Sequence, residues 1–219
     1  MKNKLTSIIL FATFLMYPFT SSAEESQSKT YFNAGMMDLS MDTLNDLKGT
    51  GITIDDEASV LSLGVGYNLS PNLALEAGML TEDEISASIS SGLSGTVNGK
   101  AYTVNASASV KAKSNITYLL GIKYSSANDS PINFNVKVGQ MFWDIDYIAS
   151  LNGTLTYDGT SYSVSQDLEF DSADGNDPYF GFGMTYDLNN SSSIDLGYFA
   201  SEIHGDDISG FSLAYVSKF

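Results

Sequence analysis

The chain has 219 residues with 26 acidic and ten basic side chains, and its net charge of −16 makes nucleic acid an unsuitable partner. It contains no cysteine, which excludes disulfides, thiol-ligated metals and thiol nucleophiles. No motif for a cofactor is present, and we expect none.

The first residues carry the three zones of a secretory signal. These zones are the basic residues Lys2 and Lys4, the apolar stretch Leu5–Phe19, and the small residues Ser21 and Ala23. A retained membrane helix is the weaker alternative, because the stretch is short for a bilayer span and Pro18 would break it. The sequence predicts a cleaved signal peptide over 1–23 and an exported domain over 24–219.

The remaining chain has the alternation of β-strands. No later apolar run approaches the roughly 20 residues of a spanning helix. Instead, apolar and small or polar residues alternate over Leu61–Leu69, a tight turn follows at 70–72, and Leu73–Leu80 resumes the alternation. The same hairpin pattern returns over Ile116–Val138 and Phe180–Tyr198.

Two further strands, Tyr31–Met41 and Phe211–Phe219, bring the expected number to eight. Three short turns alternate with longer connections, which are 43–57, 81–114, 144–177 and 203–208. A secreted β-sandwich is the alternative, but it has no reason to keep its long loops at one end. The sequence therefore predicts an all-β, eight-stranded, antiparallel, up-and-down transmembrane β-barrel with two long extracellular hairpins.

The faces opposite the apolar ones carry Gly, Ser, Asn and a few charges, so we expect the apolar face outside and a filled, narrow lumen. Four charged residues are expected in that lumen: Glu76, Lys123, Lys137 and Asp195. They either line a narrow ion path or form a structural network. The network is favoured, because buried charges persist mainly when they are paired.

The chain ends FSLAYVSKF, with Phe211, Leu213, Tyr215 and Phe219 at alternate positions of one parity and an aromatic residue last. This ending resembles the assembly signal of bacterial outer-membrane barrels. The unit Leu61–Met79, echoed by Phe180–Tyr198, resembles the small barrel family of OmpA and OmpX, a porin-like family. The resemblance implies a structural, adhesive or surface-stabilising role, outer-membrane lipid and lipopolysaccharide as neighbours, and assembly machinery that reads the last strand.

The only histidine, His204, lies between Glu202 and Asp206 in the shortest outer loop. A histidine beside a carboxylate is able to act as a general base at the rim of a barrel. No serine beside it forms a nucleophile motif, so an ordinary solvated histidine is favoured. We predict that the protein is not an enzyme.

Carboxylates crowd the expected outer rim. They are Asp55, Asp56, Glu57, Glu82, Asp83, Glu84, Asp144, Asp146, Asp171, Asp174, Asp177, Glu202, Asp206 and Asp207. Such a rim either bridges divalent cations to lipopolysaccharide phosphates or keeps the surface solvated. The solvated rim is favoured, because the spacing matches no calcium-loop motif.

The two longest loops are predicted to be β-hairpins that extend the barrel wall. Asn98-Gly99 is a favoured two-residue turn, and pairing Val97 with Lys100 sets a register that continues without a slip down to Leu75 opposite Ile122. The second hairpin turns at Asp158-Gly159 and requires a bulge near Gln140–Trp143. The two hairpins would form a protruding four-stranded sheet with open edges, whereas the alternative is a pair of flexible Ser-rich loops.

These expectations lead to a monomeric, non-enzymatic surface barrel in the cell outer membrane that mediates adhesion to a host or matrix ligand through its hairpins. Narrow-pore transport of small solutes or ions is the second hypothesis. A lipid or peptide hydrolase at the rim is the third.

Overall fold

A computed structural model describes residues 29–41, 51–55, 57–81, 83–126 and 130–219. The predicted signal peptide over 1–23 lies outside these ranges and stays a prediction. Across the described ranges, no helix has both the length and the apolar character needed to cross a bilayer.

The described residues form eleven β-strands, as an all-β prediction requires. In chain order they are β1 Thr30–Met41, β2 Thr53–Asp55, β3 Glu57–Ser70, β4 Leu73–Leu80, β5 Asp83–Val97, β6 Lys100–Ser114, β7 Thr117–Ser125, β8 Ile132–Tyr157, β9 Thr160–Asn189, β10 Ser192–Ile203 and β11 Asp206–Lys218.

Eight of these strands form a closed antiparallel ring in the order β1-β3-β4-β7-β8-β9-β10-β11. The last strand returns to the first, with Tyr31 opposite Lys218 and Met41 opposite Ile208, so this wall has no free edge. The predicted eight-stranded up-and-down barrel is confirmed. Its short-turn end carries the turns after Ser70 and Asn189, and its long-hairpin end carries the extensions of the wall.

The outer surface of the ring is apolar, because alternate residues of each strand point away from the lumen. Leu120 and Val136, for example, are each about half exposed in the protein alone. Other exposed apolar residues of the outer surface are Met36, Leu61, Leu75, Phe180, Phe182, Leu196, Phe211 and Leu213. The apolar face is therefore outside, as the sequence predicts.

The first long hairpin has the predicted register. Asn98 and Gly99 have φ angles of 51° and 76°, the positive values that a two-residue type I′ turn requires. From Val97 opposite Lys100, the pairing of β5 with β6 leads without a slip into that of β4 with β7. This confirms the hairpin over the alternative of a flexible loop.

The second long hairpin turns at Asp158 and Gly159, as predicted, but its bulge lies elsewhere. The register of β8 with β9 changes between Tyr147 and Ile148, where Phe170 is the additional residue. The bulge predicted near Gln140–Trp143 is wrong. Apolar residues change parity there because Trp143 fills the lumen, where only 6% of its surface is exposed.

A second irregularity separates the barrel wall from the first hairpin. Tyr118 pairs with Phe142 and Ser114 with Ile145, so the arm from β6 to β7 has one residue more than β8 over this interval. The backbone N–H of Asn115 donates to the Asp144 carbonyl at 2.8 Å within it. In β4 and β7, alternate residues such as Leu75 and Ile122 point to the outer surface. Beyond the irregularity, the residues of β5 and β6 that continue the same alternation point to the barrel axis.

Candidate functional site

The four predicted lumen charges lie together near the short-turn end, and we call them the lumen cluster. The Lys123 Nζ lies 3.1 Å from an Asp195 carboxylate oxygen and 4.0 Å from one of Glu76. The Lys137 Nζ lies 3.3 Å from Glu76 and 3.4 Å from Asp195. Two cations and two anions thus alternate across the lumen, so the cluster carries no net charge.

Hydrogen bonds from neighbouring strands complete this cluster. The Tyr31 hydroxyl donates to Glu76 at 2.5 Å, and its ring lies beneath the Lys123 ammonium at 5.6 Å. The Asn135 amide donates to the second Asp195 oxygen at 3.1 Å. Sequence reasoning missed Tyr31 and Asn135, although both have the inward parity of their strands.

This geometry accounts for the charges as a structural network. Each buried ion has an opposite charge within 4.0 Å and the carboxylates accept further hydrogen bonds, the arrangement in which buried charges are tolerated. A Cβ at Gly66 would clash with the Tyr31 ring, and one at Gly121 with the Tyr179 hydroxyl. Glycines therefore let these aromatic rings cross the lumen.

Above the cluster, the lumen contains an apolar layer that the sequence analysis missed. Its buried members are Met37, Val60, Leu80, Met141, Trp143, Ile145, Tyr179, Phe199, Ile203 and Ile208. Met141 is completely buried, and the Trp143 indole donates to Asp177 at 2.6 Å. The expectation of an interior with only small and polar residues is wrong for this half of the barrel.

A sequence signal for this layer exists. In the segment Met141–Tyr147 every second residue, Met141, Trp143, Ile145 and Tyr147, is apolar or aromatic, whereas Asp144 and Asp146 lie on the opposite face. These apolar residues have the inward parity of Lys137, opposite to that of Val136 and Val138. One face meets the outer surface and the other fills the lumen. This layer leaves no wide passage along the lumen of the described barrel.

Beyond the barrel, β5 and β6 together with Ala149–Tyr157 of β8 and Thr160–Leu168 of β9 form a protruding sheet. Its apolar face continues the lumen side, and one row across it pairs Leu93, Val104, Leu155 and Tyr162. Its polar face is mostly serine, threonine and asparagine. A typical row there pairs Ser90, Ser107, Asn152 and Ser165.

The apolar face of this sheet is open to solvent. Its most exposed residues are Ile89, Leu93, Val110, Leu151, Leu155, Tyr162, Val164 and Leu168. The edges are only partly open, which corrects the expectation of two free edges. β2 pairs with β5 over Ser86–Ser88, whereas Ile89–Val97 has no partner on that side among the described strands.

Within the described ranges, the rim residues form no cluster of metal ligands. His204 occupies a two-residue turn with a φ of 55°, and its ring meets Trp143 edge-on at 6.1 Å. No three His, Cys, Asp or Glu residues of the described part converge as metal ligands, and Asp56 and Glu82 lie outside it. Asp177, predicted at the rim, points inward to Trp143.

The predicted assembly residues lie on the outer surface beside the closing seam. Phe211, Leu213, Tyr215 and Phe219 are each more than half exposed. The Phe219 backbone N–H donates to the Thr30 carbonyl at 3.0 Å, so this residue takes part in ring closure. Recognition by assembly machinery stays a prediction.

No protein-family model matches the sequence, and no curated protein matches it. Among solved structures, the chain is similar to Ail, the attachment invasion locus protein of Yersinia pestis, in complex with the heparin analogue sucrose octasulfate. The identity is 10%, the match covers 89% of this chain and 100% of Ail, and the TM-score is 0.46.

The outer membrane protein OprG of Pseudomonas aeruginosa matches at 12% identity over 90% of this chain and 99% of OprG, with a TM-score of 0.44. Neisserial surface protein A matches at 10% identity over 89% of this chain and 100% of that protein, with a TM-score of 0.43. The chain is thus similar to small outer-membrane β-barrel proteins.

Proposed function

We propose that this protein is a monomeric, non-enzymatic barrel of the bacterial outer membrane that binds a host or matrix protein through the apolar face of its protruding sheet. The membrane assignment rests on the closed ring, whose outer surface is apolar and whose lumen is polar near one end. A spanning β structure must satisfy all its backbone groups internally, and only closure achieves this.

The observation that carries the adhesive role is the exposure of the apolar face. The sheet is about 40 Å long and about 19 Å wide, from 13 residues and four strands at ordinary spacings. Its apolar face of roughly 700 Å² exceeds the largest patch of a typical monomer and approaches the roughly 800 Å² that one partner buries in a standard protein interface.

The chemistry of this face favours a protein over a charged polysaccharide. Its central rows contain no charged residue, and the Lys100–Asp158 ion pair at its tip is mutually neutralised. The chain as a whole is strongly acidic, so it repels a polyanion. Over Ile89–Val97 the edge of β5 has no partner among the described strands, so its backbone groups are available to a partner strand.

The test compares the two faces of the same strands. Cells displaying the full chain are applied to an array of immobilised matrix and serum proteins, and surface levels are measured with an epitope tag. We expect Leu93→Ser with Leu155→Ser to weaken binding at least tenfold. The matched control, Thr103→Ser with Thr156→Ser on the polar face, leaves it unchanged.

A second variant replaces Ser88–Ser109 with Asn-Gly, which places the turn after the pair of Ala87 with Val110. This pair has the same hydrogen-bonding parity as Val97 with Lys100, so it can flank a two-residue turn. The variant should abolish binding while leaving the barrel folded. Equal binding by the parent, the apolar-face variant and this shortened chain would overturn the adhesive role.

The assembly proposal has its own test. Deleting Phe219 removes a closing hydrogen bond and an exposed aromatic residue, and it should lower the amount of protein in the outer membrane several-fold. A matched Phe180→Leu variant keeps the seam intact and should assemble normally. Equal levels of both variants would contradict the assembly signal.

Narrow-pore transport has less support, because the apolar layer lies across the lumen and dewetted constrictions block ions. Stable conductance steps from the purified protein in a planar bilayer would favour transport instead. The hydrolase hypothesis would require lipid or peptide turnover that disappears in His204→Ala.

A further inference from the structure

The protruding sheet has two edges, and they differ in the charges that they carry. β9 forms one edge, because its pairing with β10 begins only at Phe180. Directly below Gln166, this edge carries the carboxylates Asp167, Glu169, Asp171, Asp174 and Asp177. Charged residues on an edge strand are a common means of preventing a second strand from pairing with it. The β9 edge is therefore protected over much of its length.

The other edge, formed by Ile89–Val97 of β5, carries no charge. We call this stretch, ISSGLSGTV, the β5 edge segment, and none of the described strands pairs with its outer side. It ends above at the Asn98-Gly99 turn and below at the pair of Ser88 with Thr53 of β2. Nearly all of its side chains are exposed. An exposed, uncharged edge of this kind can accept a further strand.

The turn register identifies the backbone groups that face outward from this segment. Val97 and Lys100 flank a two-residue turn, so they exchange both of their hydrogen bonds with each other. Bonded pairs with β6 recur at every second residue of β5. The N–H and C=O groups of the intervening residues therefore point to the open edge. These residues are Ser90, Gly92, Ser94 and Thr96.

The β5 edge segment is complementary to itself when a second copy runs antiparallel to it. With the two copies of Leu93 opposite each other, Gly92 lies opposite Ser94, and Ser90 lies opposite Thr96. These four residues are the ones whose backbone groups face the edge, so each of them gains a hydrogen-bonding partner. The pairing desolvates no charged side chain within the segment.

The apolar side chains agree with this register. Ile89 of one copy lies opposite Val97 of the other, and the two copies of Leu93 meet at the centre. Leu93 is 64% exposed in the single chain, so it has surface left to bury. The two-fold symmetry places both apolar faces on the same side, where they join into one wider face.

The strand direction determines where the two barrels lie. β5 runs away from the barrel mouth, so an antiparallel pair points the two mouths in opposite directions. Leu93 lies 93 − 83 = 10 residues above the start of β5 at Asp83, or about 34 Å at the usual rise of a strand. The two mouths are then about 68 Å apart. This distance exceeds the screening length of about 8 Å in physiological salt, so the acidic rims do not oppose the contact.

Pairing between neighbours in one membrane fits the geometry less well. Joining β5 of one copy to β9 of the next would repeat the barrels every four strands, or about 19 Å. Eight strands tilted by about 40° close into a ring about 16 Å across between backbones, and side chains add about 10 Å. Neighbouring barrels would therefore overlap, which favours pairing between facing membranes.

We propose that the β5 edge segment binds the same segment of a second copy on a facing membrane, and so joins two cells that display this protein. This contact goes beyond the adhesive role proposed above, because its partner is the same chain and its site is the strand edge. A single pair of this length binds weakly, so many pairs act together across one contact between membranes.

The experiment uses the mature chain in two populations of phosphatidylcholine vesicles that carry donor and acceptor dyes. Energy transfer between the dyes reports clustering, and a chelator prevents divalent cations from bridging the acidic chains. The variant Ser90→Lys with Thr96→Lys places like charges directly opposite each other across the proposed pair. Ser90→Glu with Thr96→Glu does the same with the opposite sign. Both positions are exposed on the polar face, so the barrel should fold normally.

We expect each double variant to cluster at least fivefold less than the parent when it is alone. Mixing the lysine population with the glutamate population should restore clustering to at least the parent level, because each lysine then meets a glutamate. The matched control is Ser161→Lys with Ser165→Lys, at exposed positions on the β9 edge of the same sheet. This control should cluster as the parent does.

A single cysteine tests the register, because the chain contains none of its own. Leu93→Cys should form a disulfide between two copies, since residues opposite each other in a pair without hydrogen bonds have Cα atoms about 4.5 Å apart. With a different tag on the chains of each population, a product that contains both tags comes from facing membranes. Leu155→Cys, in the same row but two strands inside the sheet, should not form this product.

Four results would each overturn the proposal. They are a parent chain that does not cluster, a lysine variant that clusters as the parent does, a mixture that restores nothing, and disulfides only between chains with the same tag. Disulfides as frequent at Leu155→Cys as at Leu93→Cys would also overturn it, because they would indicate stacking of the apolar faces instead of edge pairing.

Discussion

The barrel wall and the protruding sheet are built from the same strands, yet they direct their apolar residues to opposite sides. In the wall, Leu75 pairs with Ile122 on the outer surface. In the sheet, Ile85 pairs with Ala112 in the same register, and both line a cavity above the apolar layer, on the side of the barrel axis. The backbone pairing is continuous while the environment of the side chains is reversed.

This difference separates two properties that sequence patterns usually predict together. A hairpin turn fixes which residues pair, whereas a bulge resets which face they occupy. The irregularities at Asn115 and Phe170 mark the level at which the faces change. Below that level the apolar side meets the outer environment, and above it the apolar side stays exposed over the barrel mouth.

The largest expected effect compares a buried ion pair with an exposed one. Asp195→Ala leaves Lys123 and Lys137 with only Glu76, and removing one partner from a buried pair costs about 3–5 kcal/mol. Asp158→Ala breaks the pair with Lys100 at the sheet tip, where both side chains are about half exposed, and it should cost at most about 1 kcal/mol.

Urea unfolding of the two variants in lipid vesicles measures both changes. Equal losses in the free energy of unfolding would mean that the lumen cluster is solvated as freely as the sheet tip. That result would contradict the closed lumen.

Next in size is the insertion of a charge on the apolar surface of each region. Leu120→Lys or Val136→Lys should cost roughly 2–4 kcal/mol if the position lies near the bilayer midplane. Leu155→Lys, on the apolar face of the sheet, should cost less than about 0.5 kcal/mol because water already reaches that position. Refolding equilibria in vesicles test this contrast, and a small cost at both wall positions would place the membrane elsewhere.

A smaller contrast concerns glycines. A Cβ at Gly121 would lie 2.5 Å from the Val138 carbonyl oxygen and also meet Tyr179, so Gly121→Ala should cost about 1–3 kcal/mol by overpacking the lumen. At Gly153 in the sheet the nearest atom would be 3.9 Å away, and Gly153→Ala should be close to neutral. Similar unfolding midpoints for both variants would indicate a lumen with spare room.

Much of this fold follows from the sequence because its signals are local. The dipeptides Asn98-Gly99 and Asp158-Gly159 fix two registers, and period-two alternation identifies the outer surface. The lumen charges were predictable as well, because inward parity and the need for pairing act together at Lys123 and Asp195.

The apolar layer and the bulge at Phe170 were not predictable in the same way. Binary patterning assigns every apolar residue to the outer side of the wall. Trp143 instead lies inside, because apolar side chains fill the lumen above the lumen cluster. A single additional residue in a strand leaves no mark in the composition. Its position depends on how β8 and β9 pair over their full length.

The smallest expected effect is a pattern in hydrogen exchange along the sheet. β6 pairs with β5 on one side and with β8 on the other, so its amides from Tyr102 to Lys113 should all exchange slowly. Among the described strands, β5 has one partner over Ile89–Val97, so only alternate amides there are bonded within the sheet. We therefore expect protection with a period of two in that part of β5 and continuous protection in β6.

Exchange measured by NMR on the full chain in nanodiscs resolves these single amides. The barrel strand β7 serves as the internal control, because it has partners on both sides within the wall and should exchange most slowly. A bound protein that adds a strand to β5 would convert its alternating protection into continuous protection, whereas docking on the apolar face alone would not. Rapid exchange at every amide from 85 to 112 would contradict the protruding sheet and remove the main support for adhesion.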